Sequence, residues 1–189
     1  MALIAELENI RQQMDANSER LKELCASLNE AQLGWRPRPS SWCIAEVLLH
    51  LEHTTHVFLP VIDNAIENAR RNGLLSNGPF RLGWMGRFYV WYVEPPPRIR
   101  LPAPKIIRPL FEGSALDALA RFLQSQELMK QRLDHANGID IVRTRITSPL
   151  AGIIKMSLFA LFSVGAAHER RHIWQVSNLR AQLPSLPPP

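Results

Sequence analysis

Two histidines four residues apart near the end of the chain are the residues best suited to chemistry. They lie in the stretch H-E-R-R-H-I-W-Q, residues 168–175. On a helix, His168 and His172 project from one face a single turn apart, so both imidazoles can bind the same metal ion. Glu169 completes the H-E-x-x-H pattern of zinc proteases, in which the glutamate acts as general base. The pattern predicts a metal site, and the rest of the chain indicates which kind.

A zinc protease needs a third protein ligand, which in the familiar H-E-x-x-H enzymes lies downstream. The residues after His172 read I-W-Q-V-S-N-L-R-A-Q-L-P-S-L-P-P-P and contain no His, Asp, Glu or Cys. The chain also shows no strand-rich domain on which a peptide substrate could lie. The sequence therefore argues against a peptidase, and a third ligand has to come from upstream.

An upstream segment, L-L-H-L-E-H-T-T-H at residues 48–56, offers three further histidines. At about 100° per residue, the apolar residues around it centre on one side of a helix. His50 lies at the edge of that side, whereas His53 and His56 fall toward the polar face. The pattern predicts that His50 reaches into the core and that the other two are exposed.

The last helix carries its polar residues on a core seam, which requires an explanation. Spacings of three and four residues connect Leu158, Leu161, Gly165, His168, His172, Gln175 and Leu179. A polar group buried without a partner costs about 1–3 kcal/mol, so the two histidines need either a metal ion or ordinary hydrogen bonds. Glu169 lies about 100° around the helix from His168, where it either flanks the site as a candidate base or faces water.

Four helical tracts are predicted, at about 2–31, 43–72, 114–136 and 150–182, with no convincing strand alternation. A long connection, 74–112, separates the second tract from the third and holds an aromatic segment, R81-L-G-W-M-G-R-F-Y-V-W-Y, that could be helical. This order predicts an all-α four-helix bundle with a long crossover between helices 2 and 3. We take residues 1–182 as a single domain and the Pro-rich 183–189 as a disordered tail.

Composition limits the remaining function classes. The 189 residues are 46% hydrophobic and 21% charged, and the net charge of +5 forms no continuous basic stripe. We therefore expect neither a nucleic-acid partner nor, in the absence of a stretch long enough to span a bilayer, a membrane partner. The start of the chain does not resemble a signal peptide. With only two cysteines, Cys25 and Cys43, a cytoplasmic protein with reduced thiols is expected.

The predicted last helix is apolar on almost every face between Leu150 and Ala167. A helix of a four-helix bundle buries one stripe, so the remaining apolar surface needs a second cover. The aromatic segment, residues 84–92, could provide it within the chain, or a second copy could provide it in a two-fold homodimer. We expect the homodimer.

Three stretches, taken in order, resemble a known family. S-W-C-I-A-E-V-L-L-H-L, residues 41–51, resembles the start of the second helix of DinB/YfiT-like proteins. S-P-L-A-G at 148–152, followed by A-H-E-R-R-H-I-W-Q at 167–175, resembles their fourth-helix signature, H-x-x-x-H-x-x-Q, and the likeness extends through residues 98–109. One departure is Cys43, which stands where the family has a serine or threonine and is a poorer helix cap.

The resemblance implies a four-helix bundle, often dimeric, in which three histidines bind nickel, zinc or another divalent ion and leave positions open for water. Carried onto this sequence, the ligands are His50, His168 and His172. Relatives include transferases and isomerases that use low-molecular-weight thiols such as mycothiol and bacillithiol, and the metal-binding domain of sulfoxide synthases.

These implications predict a metal-dependent enzyme of thiol-transferase or hydrolase type that acts on a small molecule. The alternative is a non-catalytic bundle, in which the metal only connects helices or the pocket binds an apolar ligand. No motif identifies the substrate, the thiol or a catalytic residue beyond the candidate Glu169.

Overall fold

In the part of the chain that the structure describes, the fold is a bundle of four long helices, two short helices and a small hairpin. The computed structural model describes residues 2–98, 102–109 and 113–184. Within those residues the helices are α1 (Ala5–Cys25), α2 (Glu30–Gly34), α3 (Ile44–Arg71), α4 (Trp84–Val93), α5 (Asp117–His135) and α6 (Leu158–Ala181). A 3-10 turn spans Lys105–Ile107, and strands β1 (Arg145–Thr147) and β2 (Lys155–Ser157) pair antiparallel. The predicted all-α architecture is confirmed.

The four long helices pack side by side, with α3 against α5, and α1 and α3 against α6. The crossover between α3 and α5 carries α4, so the aromatic segment is helical. It brings α4 onto α6 and the 3-10 turn onto α3. No helix in the described part of the chain is both long and apolar enough to cross a membrane.

The first predicted tract, 2–31, is two helices rather than one. α1 ends at Cys25, and α2 starts with its own capping box at Asn29. The Asn29 side chain accepts from Gln32 N at 3.0 Å, and the Gln32 side chain accepts from Asn29 N at 3.0 Å. The prediction of one continuous helix was wrong because this reciprocal pair satisfies the exposed donors of a new helix start.

The last predicted tract, 150–182, becomes helical only at Leu158. The preceding residues form the hairpin, in which Ile146 lies opposite Met156. The Ser157 hydroxyl accepts from Ala160 N at 3.1 Å and caps α6. The expectation of a helix from residue 150, and of no strands, was therefore wrong.

Helix α4 covers α6 within the chain, the first of the two alternatives for its apolar surface. Gly86 permits the close approach: a Cβ at this position would lie 3.1 Å from the Cβ of Ala160. The outer face of α4 stays open, with Trp84, Phe88 and Trp91 exposed by 77%, 48% and 52%. The homodimer stays a prediction, and its most apolar candidate surface is this aromatic face.

Buried side chains form two clusters along the bundle. The hairpin-side core joins the first half of α1, the second half of α3, the end of α5 and the first half of α6, and includes Ile62, Ile146 and Phe162. The tail-side core joins the end of α1, the first half of α3, the first half of α5 and the end of α6, and includes Leu48, Phe122, Val176 and Leu179. Residues 185–189 of the tail predicted to be disordered lie outside the described residues.

Candidate metal centre

The start of α3 is built to place His50 inside the bundle. The Cys43 N–H donates to Glu46 Oε2 at 2.9 Å, which anchors the first turn. Arg36 donates to the other oxygen of Glu46 at 2.8 Å and to the Ser41 carbonyl at 2.9 Å. Glu46 thus compensates for the poor cap at Cys43 by accepting from the backbone N–H. His50, two turns after Cys43, is only 3% exposed.

The structure brings His50, His168 and His172 together. One nitrogen from each imidazole lies within 4.8 Å of the other two. The ring centroid of His50 is 5.3 Å from that of His168 and 4.7 Å from that of His172, and the two α6 rings are 4.5 Å apart. Among the described residues, these three histidines form the group of His, Cys, Asp or Glu side chains that could hold a metal ion.

Hydrogen bonds outside the group orient two of the rings. His50 Nδ1 lies 2.7 Å from the Ile107 carbonyl oxygen, and His172 Nδ1 lies 2.9 Å from Gln175 Oε1. Both partners are acceptors, so each Nδ1 carries the proton and each Nε2 keeps its lone pair. Such outer partners fix the tautomer and direction of metal-binding imidazoles. The third signature residue, Gln175, therefore acts on the site through His172.

Burial keeps the three imidazoles neutral. Desolvation lowers the pKa of His50, that of His168 to about 3, and that of His172 well below the ordinary value. Repulsion within the group adds to the effect at His168 and His172. Trp42 covers one side, with its ring 4.9 Å from that of His50. A neutral imidazole is the form that binds a metal ion.

The donor set fits a divalent metal ion. His168 Nε2 and His172 Nε2 face one another at 3.1 Å. His172 Nε2 is unprotonated and directs its lone pair toward its neighbour, an arrangement that a shared cation stabilises. His50 contributes another unprotonated nitrogen from α3. The alternative to a metal site is that ordinary hydrogen bonds satisfy the histidines. Such bonds account for Nδ1 of His50 and of His172, but they leave the inward-facing nitrogens of the three rings grouped together.

The other histidines of α3 lie away from this group. His56 is exposed, and His53 is partly exposed and lies 3.3 Å from the Arg108 carbonyl oxygen. Both approach Glu52, which also binds Arg121 through two contacts of 3.2 Å. Glu52 is therefore neutralised by arginine, and this second cluster lacks the donor set of the candidate site.

Glu169 lies inside the protein, so the alternative in which it faces water was wrong. It is 7% exposed, and its carboxyl accepts from Asn17 Nδ2 at 2.8 Å and from the Gln126 side chain. Burial raises the pKa of Glu169 to about 7, although both hydrogen bonds oppose that shift. Glu169 belongs to a buried polar network beside the histidines and is outside the three-histidine group.

An apolar cavity of about 400 Å³ adjoins the site. His168 and Glu169 form part of its wall, together with residues from α1, α3, α4, α5, the 3-10 turn and the hairpin. The candidate metal centre therefore borders on a partly open cavity large enough for a small molecule.

Sequence reasoning missed three partners of the site. The Ile107 carbonyl carries no sequence signal, because every residue offers the same main-chain acceptor whatever its side chain is. Asn17 and Gln126 did carry one: Asn17 follows Met14 by three residues and Gln126 follows Phe122 by four, so both lie on apolar seams. A polar residue on such a seam indicates a buried partner, here Glu169.

Comparison with known proteins gives the family but no close relative. No curated protein and no solved structure matches the chain. A family model described as the DinB superfamily matches residues 13–176, which include α3 and the part of α6 that carries the histidines. The match covers most of the chain, and the bundle with its three-histidine group fits a metal-binding protein. By fold, site and family model together, the chain belongs to the DinB superfamily.

Proposed function

We propose that this protein is a metal-dependent enzyme that activates a thiol or water against a small electrophilic substrate. The observation that carries the proposal is the group of three neutral imidazoles beside a partly open apolar cavity. Catalytic metal sites commonly use three protein ligands and keep a position open, whereas structural sites are closed by a fourth. In the described residues no Cys, Asp or Glu joins the three histidines as a fourth ligand.

His50, His168 and His172 are the proposed ligands, and nickel or zinc is the proposed ion, since imidazole nitrogen suits both. A divalent ion bound by neutral ligands keeps its full charge and lowers the pKa of a water or thiol that reaches it. Ile107 and Gln175 hold two of the rings in their binding orientation. Glu169 is the candidate proton acceptor, because it lies in the cavity wall next to a ligand.

The proposal extends to the surroundings of the protein. Its partners are small molecules, with mycothiol or bacillithiol as candidate thiols, rather than nucleic acids or membranes. Both cysteines are free and buried, which suits the reducing cytoplasm. Burial raises the pKa of Cys25 to about 11, so this thiol is not a reactive group of the protein itself.

Elemental analysis of protein purified without a metal-affinity tag tests the metal site. We expect about one nickel or zinc ion per chain, and close to none after His50→Ala, because two imidazoles are too few for a tight site. His53→Ala is the matched control, since it removes a histidine from the same helix, and it should keep the metal. Equal loss in both variants would overturn the ligand assignment.

A thiol-consumption assay tests the reaction. With 1-chloro-2,4-dinitrobenzene, the thiol sulfur replaces chloride on the ring and the thiol proton passes to solvent. The metal-loaded protein should accelerate this reaction, or the hydrolysis of an ester, and His50→Ala should not. If metal binds as expected but neither rate responds across thiols and esters, the non-catalytic bundle is the better description.

A further inference from the structure

The cavity beside His168 runs through the centre of the hairpin-side core. Its volume is about 400 Å³, and α4 forms one wall with Phe88, Tyr89 and Tyr92. The hairpin contributes Met156, and α6 contributes the segment from Leu161 to Glu169. A cavity of this size between packed helices is unusual, even where it is partly open to solvent, because voids larger than a water molecule are few in protein interiors. The fold therefore keeps the space open for an occupant.

The wall offers apolar contact and few unpaired polar groups. The hydroxyl of Thr54 already donates to the His50 carbonyl at 2.7 Å, and that of Ser148 accepts from Leu150 N at 3.2 Å. The carboxyl of Glu169 is held by Asn17 and Gln126. Methionine and phenylalanine supply much of the remaining surface, including Met14, Phe58, Met129 and Phe162. Flexible methionines can adapt to an irregular apolar ligand.

The cavity is open toward the metal ligands at Gly165. This residue lies one turn before His168 in α6 and is part of the wall. A Cβ built on Gly165 would meet no other atom within 4 Å. Glycine in a helix interior costs about 0.5–1 kcal/mol relative to alanine, and nothing here requires it for packing. What its missing side chain provides is free space next to His168.

The volume sets the size of the occupant. A cavity of ~150 Å³ holds one benzene molecule, so about 400 Å³ has room for two to three rings of that size. We propose that the cavity binds the apolar body of the substrate, a neutral molecule of two to three aromatic rings, and presents its one polar or electrophilic group at His168. The inference rests on the proposed function for the role of that group, but the binding of the apolar body does not require a metal.

A fluorescence titration with N-phenyl-1-naphthylamine tests the site directly. This neutral probe has an apolar body of the proposed kind and should bind with one molecule per chain. Gly165→Leu places a side chain in the open space and should weaken binding about 10–200-fold, the range for one group too many in an apolar pocket. Gly165→Ala should weaken it less. Metal content should be unchanged, since no ligand is altered.

The exposed aromatic face of α4 is the competing location for an apolar probe. Trp84 is 77% exposed and is not part of the cavity wall, so Trp84→Ser should leave probe binding unchanged. Binding that survives Gly165→Leu but is lost in Trp84→Ser would overturn the proposal. So would a wild-type protein that does not bind the probe at all.

Methionine methyl NMR gives a readout that needs no variant. Met14, Met129 and Met156 line the cavity, whereas Met85 lies outside its wall. With methyl-labelled methionine, the probe should shift the first three signals and leave Met85 unchanged. A shift confined to Met85 would place the probe on the surface and refute the proposal. Failure of the metal analysis alone would instead overturn the proposed function and leave the cavity as an apolar binding site.

Discussion

The two cores on either side of the histidines are built from the same helices but differ in packing. On the tail side, Leu48 of α3 and Val176 of α6 are fully buried against Phe122. On the hairpin side, the same two helices contribute Phe58 and Leu161 to the wall of a cavity of about 400 Å³. One end of the bundle is filled, and the other keeps a cavity between its helices.

This contrast shows how a small bundle can combine a rigid site with a ligand pocket. Close packing on the tail side fixes the separation and rotation of α3 and α6, and with them the positions of His50 and His172. The space on the hairpin side lowers stability there, because wall residues lose contacts on one side. The histidines lie where the two regions meet. The tail-side core therefore fixes the geometry of the site, and the cavity on the hairpin side gives a ligand access to it.

The largest expected effect is a difference between the two cores in how much a truncated side chain lowers the free energy of unfolding. Leu48→Ala removes a side chain that is 0% exposed and should lower the free energy of unfolding by about 3–5 kcal/mol. Leu161→Ala enlarges a cavity that already exists and should cost at least about 1 kcal/mol less. Urea unfolding measures both. Equal costs would mean that the hairpin side is packed as densely as the tail side.

Glu169→Gln tests the polar part of the cavity wall through pH. In the wild type the folded-state pKa is raised from 4.5 to about 7, so ionising Glu169 destabilises the fold as pH rises through that window. The variant lacks this loss, and its advantage over the wild type should grow by about 2.5 kcal/mol between about pH 5 and about pH 8. The other ionisable groups are the same in both proteins, so their contribution largely cancels.

Glu19→Gln is the control for that experiment, since Glu19 is an exposed residue of α1. Its stability relative to the wild type should stay constant over the same pH range. A difference between Glu169→Gln and wild type that does not change with pH would show that Glu169 is ionised in the folded protein at both values.

Gln175→Ala tests how the tail-side end of α6 supports the site. It removes the acceptor that holds His172 Nδ1 at 2.9 Å, and outer partners of this kind are worth about 10–100-fold in metal affinity. Competition with a chelator measures the change. Gln175→Glu restores an acceptor and should recover most of the affinity. Gln182→Ala, beyond the end of α6, should have no effect.

The smallest effect on stability is expected on the outer face of α4. If the predicted homodimer uses the aromatic face, Trp84→Ser combined with Trp91→Ser should halve the mass measured by light scattering. The change should cost the monomer less than about 0.5 kcal/mol, because both side chains are largely exposed. A wild-type protein of 21.5 kDa in solution would contradict the dimer.

Helical periodicity gave the long elements well, because burial of one face imposes it directly. α3 runs from Ile44 to Arg71 against a predicted 43–72, and α5 from Asp117 to His135 against 114–136. The same reasoning placed His50 on the inner face of α3. It failed at 150–157, where Ile153 and Ile154 continue an apolar pattern but the chain forms a hairpin. Strands of three residues are too short to show alternation.

Long-range polar contacts were the other part that sequence could not supply. Asn17 and Glu169 are 152 positions apart, and only the folded bundle brings the amide to the carboxyl. The spacing on α6 placed Glu169 on the flank of the seam. From that position the side chain could either face water or lie against α1 and α5. The choice between them depends on helix rotation, which is set by packing of the whole core.

The hydrogen bond from His50 Nδ1 to the Ile107 carbonyl constrains the number of residues in this part of the crossover. The acceptor is part of the main chain, so substitutions at residue 107 retain it as long as the 3-10 turn keeps its place. Insertion or deletion of one residue near this turn would shift a different carbonyl toward His50 or remove it. Among related chains, the 3-10 turn should therefore vary freely in side chains around this point and hardly at all in its length.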